Sequence, residues 1–203
     1  MAFLKQLLIA SVLFIGINAD AKAESKQETQ VNFMPVGKHV VPPLAFLQYC
    51  LRNYDECISK VASEERVTMS ERLKRDMDEV QEFVNAAIQP RSDIENVGVA
   101  DSWGYPSNQY GDCEDYAILK KRLLVARGWS KNALLLTTAV TEKGENHVVL
   151  TVASSGGDYV LDNRMKKVEA WENMQYRWLA RQDTKNQLTW NTAVPTTNIA
   201  SLR

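Results

Sequence analysis

The sequence predicts a mixed fold in which helical regions precede a meander of antiparallel strands. Apolar residues recur at three- and four-residue spacing in the first half, whereas the later apolar segments are short, β-branched and separated by turn residues. The predicted order is an extended lead-in at 24–45, helical segments at 46–89, a loop at 91–112, a helix at 113–127, and strands at 133–140, 147–152 and 158–163.

The clearest predicted helix follows residue 68. Thr68 and Glu71 have the spacing of a capping box, and Pro90 ends the helix. One apolar stripe runs along this helix and consists of Leu73, Met77, Val80, Val84, Ala87 and Ile88. A stripe at this spacing buries one helix face in the core, so no cofactor or partner role is predicted for it.

The composition is that of an ordinary globular protein with one domain. Of the 203 residues, 45% are hydrophobic and 24% are charged, and the formal net charge is −1. The sequence lacks the excess of basic residues that would predict binding to nucleic acid. It also lacks a run of charged residues that would predict an interaction tail. The nine Gly and six Pro residues exclude the collagenous and low-complexity classes.

Residues 1–23 are predicted to be a cleavable signal peptide. Lys5 precedes an apolar run at 7–17, and small residues fit a signal-peptidase site after Ala23. This run is too short to cross a hydrocarbon core of roughly 30 Å as a helix, although an uncleaved membrane tether is the alternative. The predicted mature domain is 24–203, soluble and exported to a bacterial periplasm or the cell exterior.

The three cysteines divide into a close pair and a single residue. An oxidising compartment favours a disulfide between Cys50 and Cys57. On an unbroken helix the two residues would lie about 10.5 Å apart, beyond the roughly 7 Å limit for a disulfide, so the bond requires a turn at 53–55. Two separate buried thiols are the alternative. In either case Cys113 is unpaired, which is unusual enough in an exported protein to indicate a chemical role.

Cys113 is predicted to lie in the first turn of a helix, with Asp112 as the N-cap and Gly128 as the residue that follows its end. The amide groups and the dipole at a helix N-terminus favour a thiolate. Glu114 and Asp115 oppose ionisation, because nearby negative charge raises the pKa of a thiol. A cation beside these carboxylates would remove the conflict.

His147 and Asp162 are predicted to lie on the same face of the sheet. A four-residue hairpin loop at 154–157 pairs Ala153 with Asp158, and this register places Asp162 diagonally from His147, at roughly 7–8 Å between Cα atoms. Any loop with an even number of residues keeps the two side chains on one face of the sheet, whereas an odd loop or a bulge would separate them. A carboxylate within reach of an imidazole can orient it as a catalytic base.

Three motifs carry a resemblance to a known family, and they occur in the order cysteine, histidine, aspartate. They are Gly111-Asp112-Cys113-Glu114-Asp115-Tyr116-Ala117, His147-Val148-Val149-Leu150 and Leu161-Asp162-Asn163. Asp101-x-Trp103, the pair of cysteines at 50 and 57, and the aromatic residues of 171–182 support them. On these residues the chain resembles the transglutaminase and papain-like superfamily, and within it the bacterial transglutaminase-like cysteine peptidases of the LapG type.

The resemblance implies a fold and a reaction. The fold would be α+β with a papain/transglutaminase-like core, in which N-terminal helices and a nucleophile helix pack on an antiparallel sheet. Cys113 would attack a peptide carbonyl to form a thioester acyl-enzyme that water resolves. His147 would serve as the base, and Asp162 would orient it.

The resemblance also implies a metal and partners. LapG-type members bind calcium through carboxylates that flank the nucleophile, which here are Asp112 and Glu114. Helix-end electrostatics are an alternative reason for acidic residues at these positions. The implied substrate is a large surface adhesin, and the implied regulator is an inner-membrane receptor for cyclic-di-GMP.

Other roles compete at each position of the implied site. Cys113 could be an inert buried thiol, His147 a structural strand histidine, and Asp162 a turn-capping residue. His39 is the only other candidate base, and it is expected to be structural or exposed. The Cys113 amide is the expected oxyanion donor, with Gln109 as a second candidate. At the level of the whole chain, the alternatives are a transglutaminase or amidase that transfers the acyl group, and a non-catalytic binding module on the same fold.

Overall fold

The computed structural model describes residues 32–58 and 64–193. The predicted signal peptide at 1–23 lies outside this part of the chain. Among the described helices, none combines the length and apolar character that a membrane crossing requires. All described residues belong to the predicted mature domain at 24–203.

Helices of very different lengths occupy the first part of the described chain. They are α1 (Leu44–Arg52), α2 (Tyr54–Cys57), α3 (Glu71–Ala87), α4 (Asp93–Asn96) and α5 (Cys113–Ala126). The predicted helical region at 46–89 is therefore confirmed only in part, because Val67 forms a β-bridge to Ser154 between α2 and α3. The predicted loop at 91–112 is also more ordered than expected, since it contains α4 and a short strand.

Within residues 32–58 and 64–193, seven strands form one antiparallel sheet, in the order β1-β9-β8-β4-β5-β6-β7. A short parallel pair, β2 and β3, lies outside it. The strands are β1 (His39–Val40), β2 (Gln89–Pro90), β3 (Tyr110–Gly111), β4 (Leu134–Val140), β5 (Asn146–Ser154), β6 (Gly157–Leu161), β7 (Glu169–Ala170), β8 (Arg177–Gln182) and β9 (Trp190–Thr192). The predicted meander is β4, β5 and β6, which are neighbours in this sheet, and among the described strands only β7 lies beyond β6 at that edge.

The start of α3 differs from the prediction. Ser70, not Thr68, is the N-cap, and its Oγ accepts a hydrogen bond of 3.3 Å from the Leu73 amide. At the other end, Ala87 is exposed and Ile88 lies just beyond the helix. The buried stripe is therefore shorter than predicted, and it ends at Val84.

The helix α5 packs between α3 and the sheet. Alternate side chains of β5, at Val148, Leu150 and Val152, belong to the same buried cluster as α5 residues Ala117 and Ile118. The intervening side chain at position 149 belongs to a second cluster on the other face of the sheet. Because α5 is covered on two sides, the residue at its first position is held in a fixed relation to β5.

The cysteine pair forms the disulfide that the compartment argument favours. Cys50 and Cys57 are bonded, and their Cα atoms lie 5.6 Å apart. The chain turns at Asn53, where α1 ends and α2 begins, as the geometry requires. Cys113 remains a free thiol. In this structure the alternative of two separate thiols at 50 and 57 is wrong.

Candidate active site

Cys113 is the first residue of α5, and Asp112 occupies the N-cap position with an extended backbone. The Asp112 side chain does not cap the helix; its Oδ2 instead accepts a hydrogen bond of 3.2 Å from the Asp93 amide. Gly111 makes this junction possible, since a Cβ there would lie 2.8 Å from the Cβ of Asp115. The sequence Gly-Asp-Cys thus brings β3 tightly against the first turn of α5.

The Cys113 thiol lies between a carboxylate and the backbone of β5. Its Sγ is 3.1 Å from Oε2 of Glu114, and it also receives a hydrogen bond from the Val148 amide. Burial raises the pKa of the thiol, the Glu114 charge raises it further, and the Val148 amide acts in the opposite direction. The conflict inferred from the sequence is therefore present in the structure, with Glu114 as its main charged cause.

The hairpin between β5 and β6 has the predicted register. Ala153 pairs with Asp158, and the turn contains two residues rather than four, so its length stays even. His147 and Asp162 accordingly lie together, with 2.9 Å between Nε2 of the imidazole and Oδ1 of the carboxylate. Both side chains are buried, with relative exposures of 6% and 1%.

Asp162 is held as an ionised carboxylate by several donors. Its Oδ1 also accepts a hydrogen bond of 2.8 Å from the Arg164 amide, and its Oδ2 accepts one of 2.6 Å from the Tyr176 hydroxyl. Burial opposes ionisation, but these hydrogen bonds and His147 together hold the pKa of Asp162 below its ordinary value. An acceptor of this kind orients the imidazole through Nε2, so Nδ1 is the ring nitrogen that does not face Asp162.

Tyr176 is a site residue that the sequence reasoning did not single out. Its ring packs edge-on against His147, with 5.7 Å between the ring centroids, while its hydroxyl bonds to Asp162. Arg164 lies 5.7 Å from the Tyr176 ring centroid and forms an ion pair of 2.6 Å with Glu142. Tyr176 therefore contacts both members of the His–Asp pair.

Three acidic side chains form a cluster next to the thiol. Oxygen atoms of Asp93, Asp112 and Glu114 all lie within 4.8 Å of one another. Burial raises the pKa of all three carboxyl groups, and raises that of Glu114 to about 9. Oδ1 of Asp112 is buried and has no hydrogen-bond partner. Clustered carboxylates with an unsatisfied oxygen fit a hard cation such as Ca²⁺, which takes oxygen ligands.

The remaining candidate residues lie in four different environments. Asp93 was missed from sequence, because it precedes Asp112 by nineteen positions within an irregular segment. Asp115 lies outside the three-carboxylate cluster and accepts a hydrogen bond of 3.2 Å from the Gly104 amide. His39 is exposed on β1, and three strands separate it from β5. Gln109 is exposed with a backbone φ of 67°, and its role as an oxyanion donor stays a prediction.

The fold is shared with solved structures of LapG from Legionella pneumophila. One of them, described as calcium-bound, matches with a TM-score of 0.52 and 23% sequence identity, and the match covers 62% of this chain and 73% of that chain. Another LapG structure matches with a TM-score of 0.50 and 22% identity, covering 62% and 72%. None of the curated proteins matches the chain significantly.

A helix that begins with a cysteine, packed on an antiparallel sheet that carries the histidine, defines a transglutaminase-like α+β fold. The sequence profile of the bacterial transglutaminase-like cysteine proteinases (BTLCP) matches residues 36–197. The chain belongs to this family and is a cysteine peptidase. The fold class and the family that the sequence motifs predict are both confirmed.

Proposed function

We propose that this chain is an exported endopeptidase in which Cys113, His147 and Asp162 form a catalytic triad. The observation that carries the proposal is the buried hydrogen bond of 2.9 Å between His147 and Asp162. The Cys113 thiol lies against the amide of Val148, which is the residue next to His147. This contact brings the thiol to the strand that carries His147, and it supports a reaction in which Cys113 is the nucleophile, His147 its base and Asp162 the carboxylate that orients the base.

In the proposed reaction, the Cys113 sulfur attacks the carbonyl carbon of a peptide bond after His147 has taken the thiol proton. The carbon–nitrogen bond then breaks, and the His147 imidazolium gives that proton to the leaving amine. The acyl group remains on sulfur as a thioester. Water attacks the thioester while His147 takes a proton from it. The carbon–sulfur bond then breaks, the acid product leaves, and His147 gives this proton to the Cys113 sulfur.

The proposal includes a calcium ion held by Asp93, Asp112 and Glu114. Two of these residues follow from the sequence resemblance, and the third completes the cluster in the structure. One of the LapG structures with the same fold is described as calcium-bound, which supports this choice of metal. A bound dication would supply positive charge that offsets the carboxylates beside the thiol.

The remaining parts of the proposal concern location and partners. Residues 1–23 are proposed to direct export to the periplasm, after which the domain at 24–203 acts on an extended segment of a large surface adhesin. A membrane receptor for cyclic-di-GMP is the proposed regulator. The sequence motifs and family membership support these parts.

The proposed function predicts hydrolysis of a peptide bond in adhesin fragments. Wild-type protein and a Cys113→Ala variant would be incubated with N-terminal adhesin fragments, in calcium and in the presence of a fluorescent primary amine. We expect new N-termini and free carboxylate products with the wild type only. Incorporation of the amine without cleavage would instead identify acyl transfer, and unchanged fragments that remain bound in both samples would identify a binding module.

A further inference from the structure

Asp162 lies one residue beyond the paired part of β6, so strand pairing brings it to His147 without holding its backbone. Strand β6 ends at Leu161, so Asp162 is the first residue of the segment that leads to β7. Its side chain points to His147, while its backbone carbonyl is turned toward α3. The orientation of the His147 imidazole therefore depends on whatever holds this segment.

Two amide side chains of α3 hold the segment by its backbone. Nε2 of Gln81 donates hydrogen bonds of 2.7 Å to the carbonyl oxygens of both Asp162 and Met165. Nδ2 of Asn85, one helical turn later, donates to the same two oxygens at 3.1 and 2.9 Å. Residues four apart on a helix lie on the same face, so the two amides can hydrogen-bond to the same pair of carbonyl oxygens.

A buried lysine fixes the orientation of the Gln81 amide. Nζ of Lys120 donates a hydrogen bond of 2.8 Å to Oε1 of Gln81, and both side chains have 0% relative exposure. The other end of the amide faces two backbone carbonyl oxygens, which only accept, so Nε2 must lie there and the amide can take one orientation. Burial lowers the pKa of Lys120 to about 7, and the Asp162 charge acts in the opposite direction.

Lys120 lies on α5, the helix that begins with Cys113. A continuous chain of buried hydrogen bonds thus runs from the nucleophile helix through Gln81 to the carbonyl of Asp162. Burying the Lys120 amine and the Gln81 amide is costly unless they are hydrogen-bonded, because a buried polar group without a partner loses its hydration. An apolar side chain at these positions would fill the space but would make no hydrogen bond to the carbonyl oxygens of Asp162 and Met165.

We propose that Gln81, Asn85 and Lys120 are positioning residues that set the Asp162 carboxylate, and through it the His147 ring, relative to Cys113. We call these three residues the carbonyl clamp. The inference rests on the proposed function, since it assigns the clamp to a triad. It adds three positions, two on α3 and one on α5, that do not touch the reacting atoms.

The chain contains a matched control for the clamp. At the next position of α5, Nζ of Lys121 donates to Oε1 of Gln187 at 2.9 Å, and Nε2 of Gln187 donates to the backbone carbonyls of Lys131 and Leu134. Gln187 has a relative exposure of 1%, so it is as buried as Gln81. This pair has the same chemistry, but it holds the start of β4 instead of Asp162.

The test compares Gln81→Met with Gln187→Met. We expect Gln81→Met to lower kcat about 10- to 100-fold while KM stays within about twofold, because displaced catalytic groups lose transition-state stabilisation without losing substrate binding. Gln187→Met is expected to lower the melting temperature similarly and to leave kcat unchanged. Equal losses of kcat in the two variants, or a normal kcat in Gln81→Met, would overturn the clamp.

A second readout does not depend on turnover. The chain has two histidines, so ¹⁵N-histidine labelling gives signals from two imidazole rings, and His39 serves as the internal reference. The His147 ring N–H signal should shift or broaden in Gln81→Met and stay in place in Gln187→Met. If the wild type cleaves nothing, the proposed function fails, and this spectrum still decides the clamp.

A milder variant covers the case in which Gln81→Met does not fold. Asn85 is half-buried, and Asn85→Leu removes two of the four side-chain hydrogen bonds to the same carbonyl oxygens while keeping the Lys120–Gln81 contact. It should shift the His147 signal in the same direction and lower kcat by a smaller factor. An unchanged signal together with an unchanged kcat in this variant would contradict the clamp.

Discussion

Replacement of His147 by alanine is expected to lower kcat for peptide cleavage about 10⁴-fold or more, as the loss of a base in a coupled triad does. Cys113→Ala is expected to remove cleavage to the same level, and the double variant should be no worse than either single one. This non-additivity is the sign of residues that act in one step. The measurement is kcat on a peptide taken from the cleaved adhesin site.

The second histidine provides the control for this result. His39 is exposed on β1, near the opposite edge of the sheet from β6, so His39→Ala should retain wild-type activity. Cys113→Ala should retain a melting temperature close to that of the wild type, whereas His147→Ala should melt lower but stay folded at the assay temperature, because Asp162 loses one of its hydrogen-bond partners. A His147→Ala variant that keeps about a tenth of the activity or more would contradict the assignment of His147 as the base.

Removal of calcium is expected to have the next largest effect. At a free calcium concentration about 100-fold above Kd, binding to the folded state adds about 2.7 kcal/mol. For a chain of this size that stabilisation raises the melting temperature by about 5 to 10 °C. EGTA should therefore lower the melting temperature by this amount and abolish cleavage, because Glu114 is left uncompensated beside the Cys113 thiol.

Charge-matched variants separate a metal site from a general charge effect. Asp112→Asn with Glu114→Gln should abolish the calcium-dependent rise in melting temperature. Asp78→Asn with Glu82→Gln removes the same charge from exposed positions of α3 and should leave the rise intact. Identical melting curves for the wild type in calcium and in EGTA would contradict the proposed site, as would a response to magnesium of equal size.

The central part of the site was accessible from sequence because its geometry follows from short-range rules. Cys113 is placed by the helix that follows a Gly-Asp pair, and a helix start is a local signal. His147 and Asp162 share a face of the sheet whenever the hairpin loop between β5 and β6 has an even number of residues, and the observed loop is even. Hydrophobic patterning identified β5, which carries His147, and β6, which ends one residue before Asp162 and so is shorter than the predicted strand at 158–163.

The rest of the site depends on contacts between segments far apart in the chain. Asp93 reaches the acidic cluster through a loop without periodicity, and Tyr176 reaches Asp162 from the segment before β8. Gln81 lies on the buried side of α3, where a polar residue in an apolar stripe gives no sign of its partner. Rules based on neighbouring residues do not predict such tertiary contacts.

The last strands were missed for a different reason. A register shift between Thr138 and Ala139 of β4 disturbs its pairing with β8. The burial pattern of β8 consequently departs from strict alternation, and alternation is the sequence signal for a half-buried strand. Strands β7 and β9 have two and three residues, too short to show any period. The sheet is thus wider than the predicted meander.

The most direct measurement is the rate at which iodoacetamide alkylates Cys113 in the calcium-loaded wild type and in His147→Ala. The other two cysteines are joined in a disulfide, so every added carboxamidomethyl group reports on Cys113. If His147 takes the thiol proton, the wild type should react at least about tenfold faster at neutral pH, because the thiolate is the reactive form. Equal rates in the two proteins would show that the imidazole does not activate the thiol, and the proposed triad would be wrong.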